Sequence, residues 1–161
     1  MKQVFRLLGF LLLTGIAPVG WSSALSLDEI LANTPELRGD LPQPVTQTGV
    51  SVGERHWYHH EIVTYLDTLA AASPRMVALG PHATSYGGRS LVSYAISSEA
   101  NIDNLQAIKA ARAQIVDPAN PADLTEQPAV MHMMYSIHGN EPSGSNASPL
   151  VAYYLNASLD P

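Results

Sequence analysis

The sequence contains no cysteine among its 161 residues. That excludes a disulfide framework and any thiolate metal site, so a metal ion would have to be held by imidazole and carboxylate. Positive charge is also scarce. Eight Lys and Arg stand against fourteen Asp and Glu, a formal charge of -6 at pH 7, with no long run of either sign. A chain of this balance has no basic run with which to neutralise phosphate backbones or anionic lipid, so nucleic acid is not an expected partner. There is no internal repeat and no low-complexity tract, and beyond residue 24 no segment is apolar enough to span a bilayer.

What is present is a chain that is 46% hydrophobic, enough for one compact domain or a part of a larger one. Residues 1–24 have the pattern of a signal peptide: Lys2 and Arg6 precede the apolar stretch LLGFLLLTGIAPVG, and Ser22 and Ala24 stand at the -3 and -1 positions of a cut before Leu25. An uncleaved membrane anchor is the alternative. Cleavage would leave six basic residues against fourteen acidic ones, a formal charge of -8, and no stable membrane association. Export without disulfides suits a bacterial periplasm or exterior.

Residues 25–55 read as an N-terminal connector. Leu25 to Asn33 fits a short helix capped by Ser26, with Asp28 and Glu29 at its positive end, and the Pro-, Gly- and Thr-rich stretch after it has no sustained period. Tyr58 to Ser73 places Ile62, Tyr65, Leu66 and Leu69 at the spacing of a half-buried helix, which Pro74 ends. Met76 to Gly80 and Leu91 to Ser97 are β-prone runs around Gly87-Gly88, which predicts a hairpin. Asn101 to Val116 is amphipathic, with Ile102, Leu105, Ile108 and Ile115 on one side, closed by Asp117-Pro118. AVMHMMYSI, after Pro128, predicts an inner strand covered on both faces, with Met131, Met133 and Met134 as core filling and His132 as a core histidine or one lying behind the site. In the helix after it, Pro149 fits either the second turn of a helix starting near Ser143 or the first position of one capped by Ser148. Together these elements predict an α/β fold, a mixed sheet flanked by helices, over residues 56–161.

The residues with most chemical promise are His138-Gly139-Asn140-Glu141. A catalytic zinc takes three protein ligands from His and carboxylates and leaves a fourth position open. His138 and Glu141 lie on the turn that should leave the carboxyl end of the inner strand, where open α/β sheets place their ligands. Gly139, lacking a Cβ, is expected to let the two side chains converge. An isolated H-x-x-E also occurs by chance, and there His138 would be a satisfied loop histidine and Glu141 a solvated or capping carboxylate. His56, His59 and His60 cluster in ERHWYHHE, but sequence neighbours on a helix point apart, so His59 and His60 are expected at the surface. Arg89 is expected to pair with a carboxylate or brace the hairpin, and Tyr153 and Tyr154 to pack the last helix. Asn156-Ala157-Ser158 matches a glycosylation acceptor, without meaning in a bacterial product.

SIHGNEPSG, preceded by SYGGRSLVSYAIS and by a helix, resembles the carboxypeptidase A-like family of zinc metallopeptidases. There the metal-binding H-x-x-E follows an inner strand, and an upstream hairpin carries a G-R-S/T or G-R-P element, here Gly88-Arg89-Ser90. The likeness runs from about Tyr58 to Ala157. It implies that His138 and Glu141 are two of three ligands to one Zn2+ ion, and that the activity is release of carboxyl-terminal residues from peptides or peptide-like substrates. In that family a downstream histidine completes the site and a later glutamate is the general base. No histidine follows His138 and no glutamate follows Glu141, so the resemblance implies about the first half of a catalytic domain, inactive by itself. Asn140 stands where some relatives carry an arginine, so a substrate contact there would be a neutral hydrogen bond. Two alternatives stay open: a zinc deacylase of N-acyl amino acids, of the aspartoacylase and succinylglutamate desuccinylase type, which shares H-G-N-E, and a non-catalytic secreted binding module.

Overall fold

The computed structural model describes residues 25–117, 119, 123 and 125–159, so the expected signal peptide over 1–24 lies outside the described residues. In order the elements are α1 (Leu27–Leu31), α2 (His59–Ala72), β1 (Met76–Thr84), β2 (Ser90–Ile96), α3 (Glu99–Asp103), α4 (Leu105–Ala113) with a 3-10 turn at Gln114–Val116, and α5 (Pro142–Ala157). They make a small mixed α/β domain whose sheet has two antiparallel strands. Among the described residues no helix is long and apolar enough to cross a membrane.

Local chemistry accounts for most of these bounds. The Ser26 hydroxyl accepts from the Glu29 N–H while the Glu29 carboxylate accepts from the Ser26 N–H, a reciprocal cap that starts α1. In α2 the same return contact is made by Glu61, which accepts the Tyr58 N–H at 2.7 Å. The hairpin turns at Ser85–Arg89, where Gly88 sits at φ 76°, a left-handed conformation that favours glycine. The expected helix over 101–116 is broken at Asn104, which leaves helical geometry at φ -97°, ψ 13°. Asp and Asn side chains compete for backbone hydrogen bonds, and Asp103-Asn104 is where the helix divides.

The core lies between α2 and α5 and against the start of β1. Tyr65, Leu66 and Leu69 of α2 meet Ala152, Tyr153 and Ala157 of α5 and Met76 of β1, as the spacing of the α2 stripe predicts. Leu41, Val52 and Trp57 close the cluster, with Trp57 edge-on to Tyr65 at 5.8 Å. The stretch read as a connector therefore supplies core side chains. It also binds the end of α5 through its backbone: the Arg38 N–H donates to Ala157 at 2.8 Å and the Leu159 N–H to Glu36 at 3.0 Å.

Helix α5 begins at Pro142 and runs through Pro149, which is the first of the two arrangements the sequence allows. Proline brings no N–H for the carbonyl four residues back. That carbonyl belongs to Ser145, and the Ser148 hydroxyl donates to it at 2.7 Å. One serine thus supplies the bond that the proline withholds.

The inner strand is the expectation the structure overturns. Residues 128–136 form no strand, and Val130, Met131, Met133, Met134 and Ile137 are exposed, Met131 at 83%. His132 is exposed as well, not a core histidine, and the methionines fill no core. Apolar continuity makes a strand only where a neighbouring edge receives its N–H and C=O groups, and among the described residues no edge does so. The expected mixed sheet is accordingly a two-stranded hairpin.

Candidate metal centre

His138, Gly139, Asn140 and Glu141 form the turn that enters α5. The Glu141 N–H donates to the His138 carbonyl at 3.1 Å, closing the turn, and Pro142 occupies the first helical position, where a missing N–H costs nothing. Closure brings the two side chains together: His138 Nδ1 lies 2.9 Å from Glu141 Oε2. Both side chains are 67% exposed, so they present donors to solvent and not to the core. Asn140, between them in sequence, is exposed too.

Gly139 does not serve as expected. Its backbone lies outside the left-handed region, and a Cβ built on it meets nothing within 4 Å. The left-handed residue nearby is Ser136, at φ 62°, two positions before His138. The first turns of α5 are anchored from the other side of the domain. The Trp57 N–H donates to Asn146 Oδ1, while Asn146 Nδ2 donates to the Pro142 carbonyl at 3.0 Å. A buried tryptophan thereby holds the helix that carries the site.

An imidazole nitrogen and a carboxylate oxygen on one turn are a donor pair suited to a borderline divalent cation, with two of the three ligands that a catalytic zinc requires. Among the described residues no group of three or more His, Asp or Glu side chains comes together in a way that could hold a metal ion.

The Gly88-Arg89-Ser90 element sits at the hairpin turn. Arg89 braces it through its backbone: its N–H donates to Ser85 Oγ at 3.0 Å and its carbonyl accepts the Ser85 N–H at 2.7 Å. Its guanidinium enters no ion pair among the described residues, and the residue lines a hollow of about 370 Å³ with Tyr58, His59 and His60. His60 is at the surface as expected. His59 is half-buried, with Nε2 2.9 Å from the Ser90 carbonyl, which ties the start of α2 to the start of β2.

Sequence reasoning missed two features. Arg55 and Glu61 form a two-pronged ion pair at 2.9 and 2.7 Å, which with the Tyr58 N–H holds the Glu61 carboxyl down at about 2. The Y-x-x-E pattern at the helix start was the available signal. The second is a groove of about 550 Å³ between Val52–His56 and the α5 residues Ser143, Asn146, Ala147 and Leu150, for which sequence carried no sign. The buried Asn156, 0% exposed, is closed to any modifying enzyme in the folded chain. Compared with protein-family models, with curated proteins and with solved structures, the chain gives no match in any of the three.

Proposed function

We propose that this chain is the amino-terminal part of an exported zinc metallocarboxypeptidase with a carboxypeptidase-like fold. The observation that carries the reading is the 2.9 Å approach of His138 Nδ1 to Glu141 Oε2 on an exposed turn at the head of a helix anchored in the core. Two ligands of a tetrahedral zinc, each about 2 Å from the ion, stand about 3.3 Å apart. A side-chain adjustment of a few tenths of an ångström turns the hydrogen-bonded pair into a ligand pair. The donor set fits one Zn2+ ion, and the reading requires a third ligand and a general base from outside residues 1–161.

When bound, the ion would polarise the scissile carbonyl and acidify water. The residues of this chain have simpler tasks. His138 and Glu141 hold the metal, Asn140 offers a neutral amide to the substrate backbone, and the groove that begins at Ser143, two residues past Glu141, gives an extended peptide a wall beside the site. Gly88 and Arg89 shape the hairpin and take no part in bond breaking.

The test is made on the product of the whole reading frame that encodes this chain. Release of the carboxyl-terminal residue from a peptide, lost on chelation, restored by zinc and abolished by His138→Ala, supports the reading. Release of an acyl group from an N-acyl amino acid in its place shifts the assignment to a deacylase, and zinc binding that survives His138→Ala removes the site altogether.

A further inference from the structure

The start of α2 and the hairpin turn together line one hollow. Tyr58, His59 and His60 line it from the start of α2 and Arg89 reaches the same spot from the hairpin turn, while Arg55 and His56 line the neighbouring groove. The carboxylate in the first turn of α2 is not available to Arg89. Glu61 is fully engaged: Oε1 receives Arg55 Nη2 at 2.7 Å, and Oε2 receives Arg55 Nη1 at 2.9 Å and the Tyr58 N–H at 2.7 Å. Arg89 is left without a counter-charge among the described residues, beside two imidazoles and a phenol.

The walls of the hollow are fixed by contacts unrelated to any ligand. His59 Nε2 is 2.9 Å from the Ser90 carbonyl, so the residue after Arg89 is tied to the first turn of α2. Tyr58 is stacked on His60 with the rings 5.8 Å apart and 8° from parallel, and the Arg55 guanidinium lies 5.3 Å from the centre of the Tyr58 ring. A free guanidinium presents paired N–H donors that match two oxygens of one oxyanion. We infer that the hollow lined by Tyr58, His59, His60 and Arg89 is a binding site for an oxyanion, a carboxylate or a phosphoryl group, gripped chiefly by Arg89.

This site is separate from the metal pair, and its test does not depend on zinc or on catalysis. The full chain, labelled with 15N, is titrated with inorganic phosphate and, in a second arm, with acetate, at constant ionic strength set by chloride. Saturable amide shifts confined to Tyr58–Glu61 and Gly88–Ser90 are expected in at least one arm. The tighter arm identifies a phosphoryl or a carboxylate source. Arg89→Gln, an exposed position whose backbone bonds are retained, should raise the Kd about tenfold or more, and His60→Asn should weaken binding less. Arg38→Gln, a distant arginine already paired with Asp40, should leave it unchanged. Shifts that fail to saturate in both arms, or a Kd equally indifferent to Arg89→Gln and Arg38→Gln, overturn the inference.

Discussion

The Ser73 hydroxyl donates to Asn156 Oδ1 at 2.7 Å, joining the end of α2 to the end of α5 inside the core. Asn156 Nδ2 in turn donates to the Ala152 carbonyl at 2.8 Å. Neither residue reaches water, with Ser73 4% and Asn156 0% exposed. Asn156→Ala therefore takes away the acceptor of a buried hydroxyl proton, the hydroxyl oxygen keeping only the Arg75 N–H, and should cost about 1–3 kcal/mol. Urea unfolding checks this: the midpoint should fall while the slope of the transition is unchanged.

The Arg55–Glu61 pair makes stability sensitive to acid. The Glu61 carboxyl is held at about 2 in the folded chain, first by its bonds from Arg55 and then by the Tyr58 N–H, against an ordinary value of 4.5. Its contribution is present above pH 4.5 and is lost as the pH falls from there towards 2. Glu61→Gln should flatten that part of the acid limb in thermal melts recorded between pH 2 and 6. An equally steep limb in the variant would assign the loss to the other lowered carboxyls, Glu29, Asp40 and Asp123, held down by Ser26, Arg38 and Thr125 respectively.

Two glycines in the expected functional elements should respond in opposite ways. Gly88 lies at φ 76°, so Gly88→Ala forces a Cβ into the left-handed region and should destabilise the chain by about 1–2 kcal/mol. Gly139 has an unstrained backbone and open space around it, so Gly139→Ala should change stability by no more than about 0.5 kcal/mol. Thermal melts of the two variants, compared with the parent, decide it.

His138→Ala and Glu141→Ala remove groups that are both two-thirds exposed, so each should shift stability by less than about 1 kcal/mol. Their effect should fall on zinc. Two ligands alone hold the ion weakly, but each single variant should weaken even that binding. Isothermal titration with Zn2+, run alongside a melt, separates a metal role from a structural one. Affinity unchanged in both variants would leave the pair as a simple turn-stabilising contact.

Helix α2, the cap at Ser26 and the hairpin at Gly88 were legible in the chain itself, because each depends on neighbours a few residues apart; the break at Asn104 was not. The spacing of Tyr65, Leu66 and Leu69, the reach of Glu29 back to Ser26 and the demand of a tight turn for glycine are local properties. The approach of His138 and Glu141 rests on neighbours of the same kind: four residues closed by the Glu141 N–H to His138 carbonyl bond keep the two side chains on one turn.

Contacts between remote segments had to wait for the fold. Nothing local assigns Leu41 and Val52 to the core, joins Ser73 to Asn156, brings the Trp57 N–H to Asn146, or leaves Arg89 unpaired beside His59 and His60. The run from Val130 to Ile137 shows the limit most plainly. Its composition is that of a buried strand, but a strand is a relation between two edges, and only the tertiary arrangement determines whether a second edge is there to accept it.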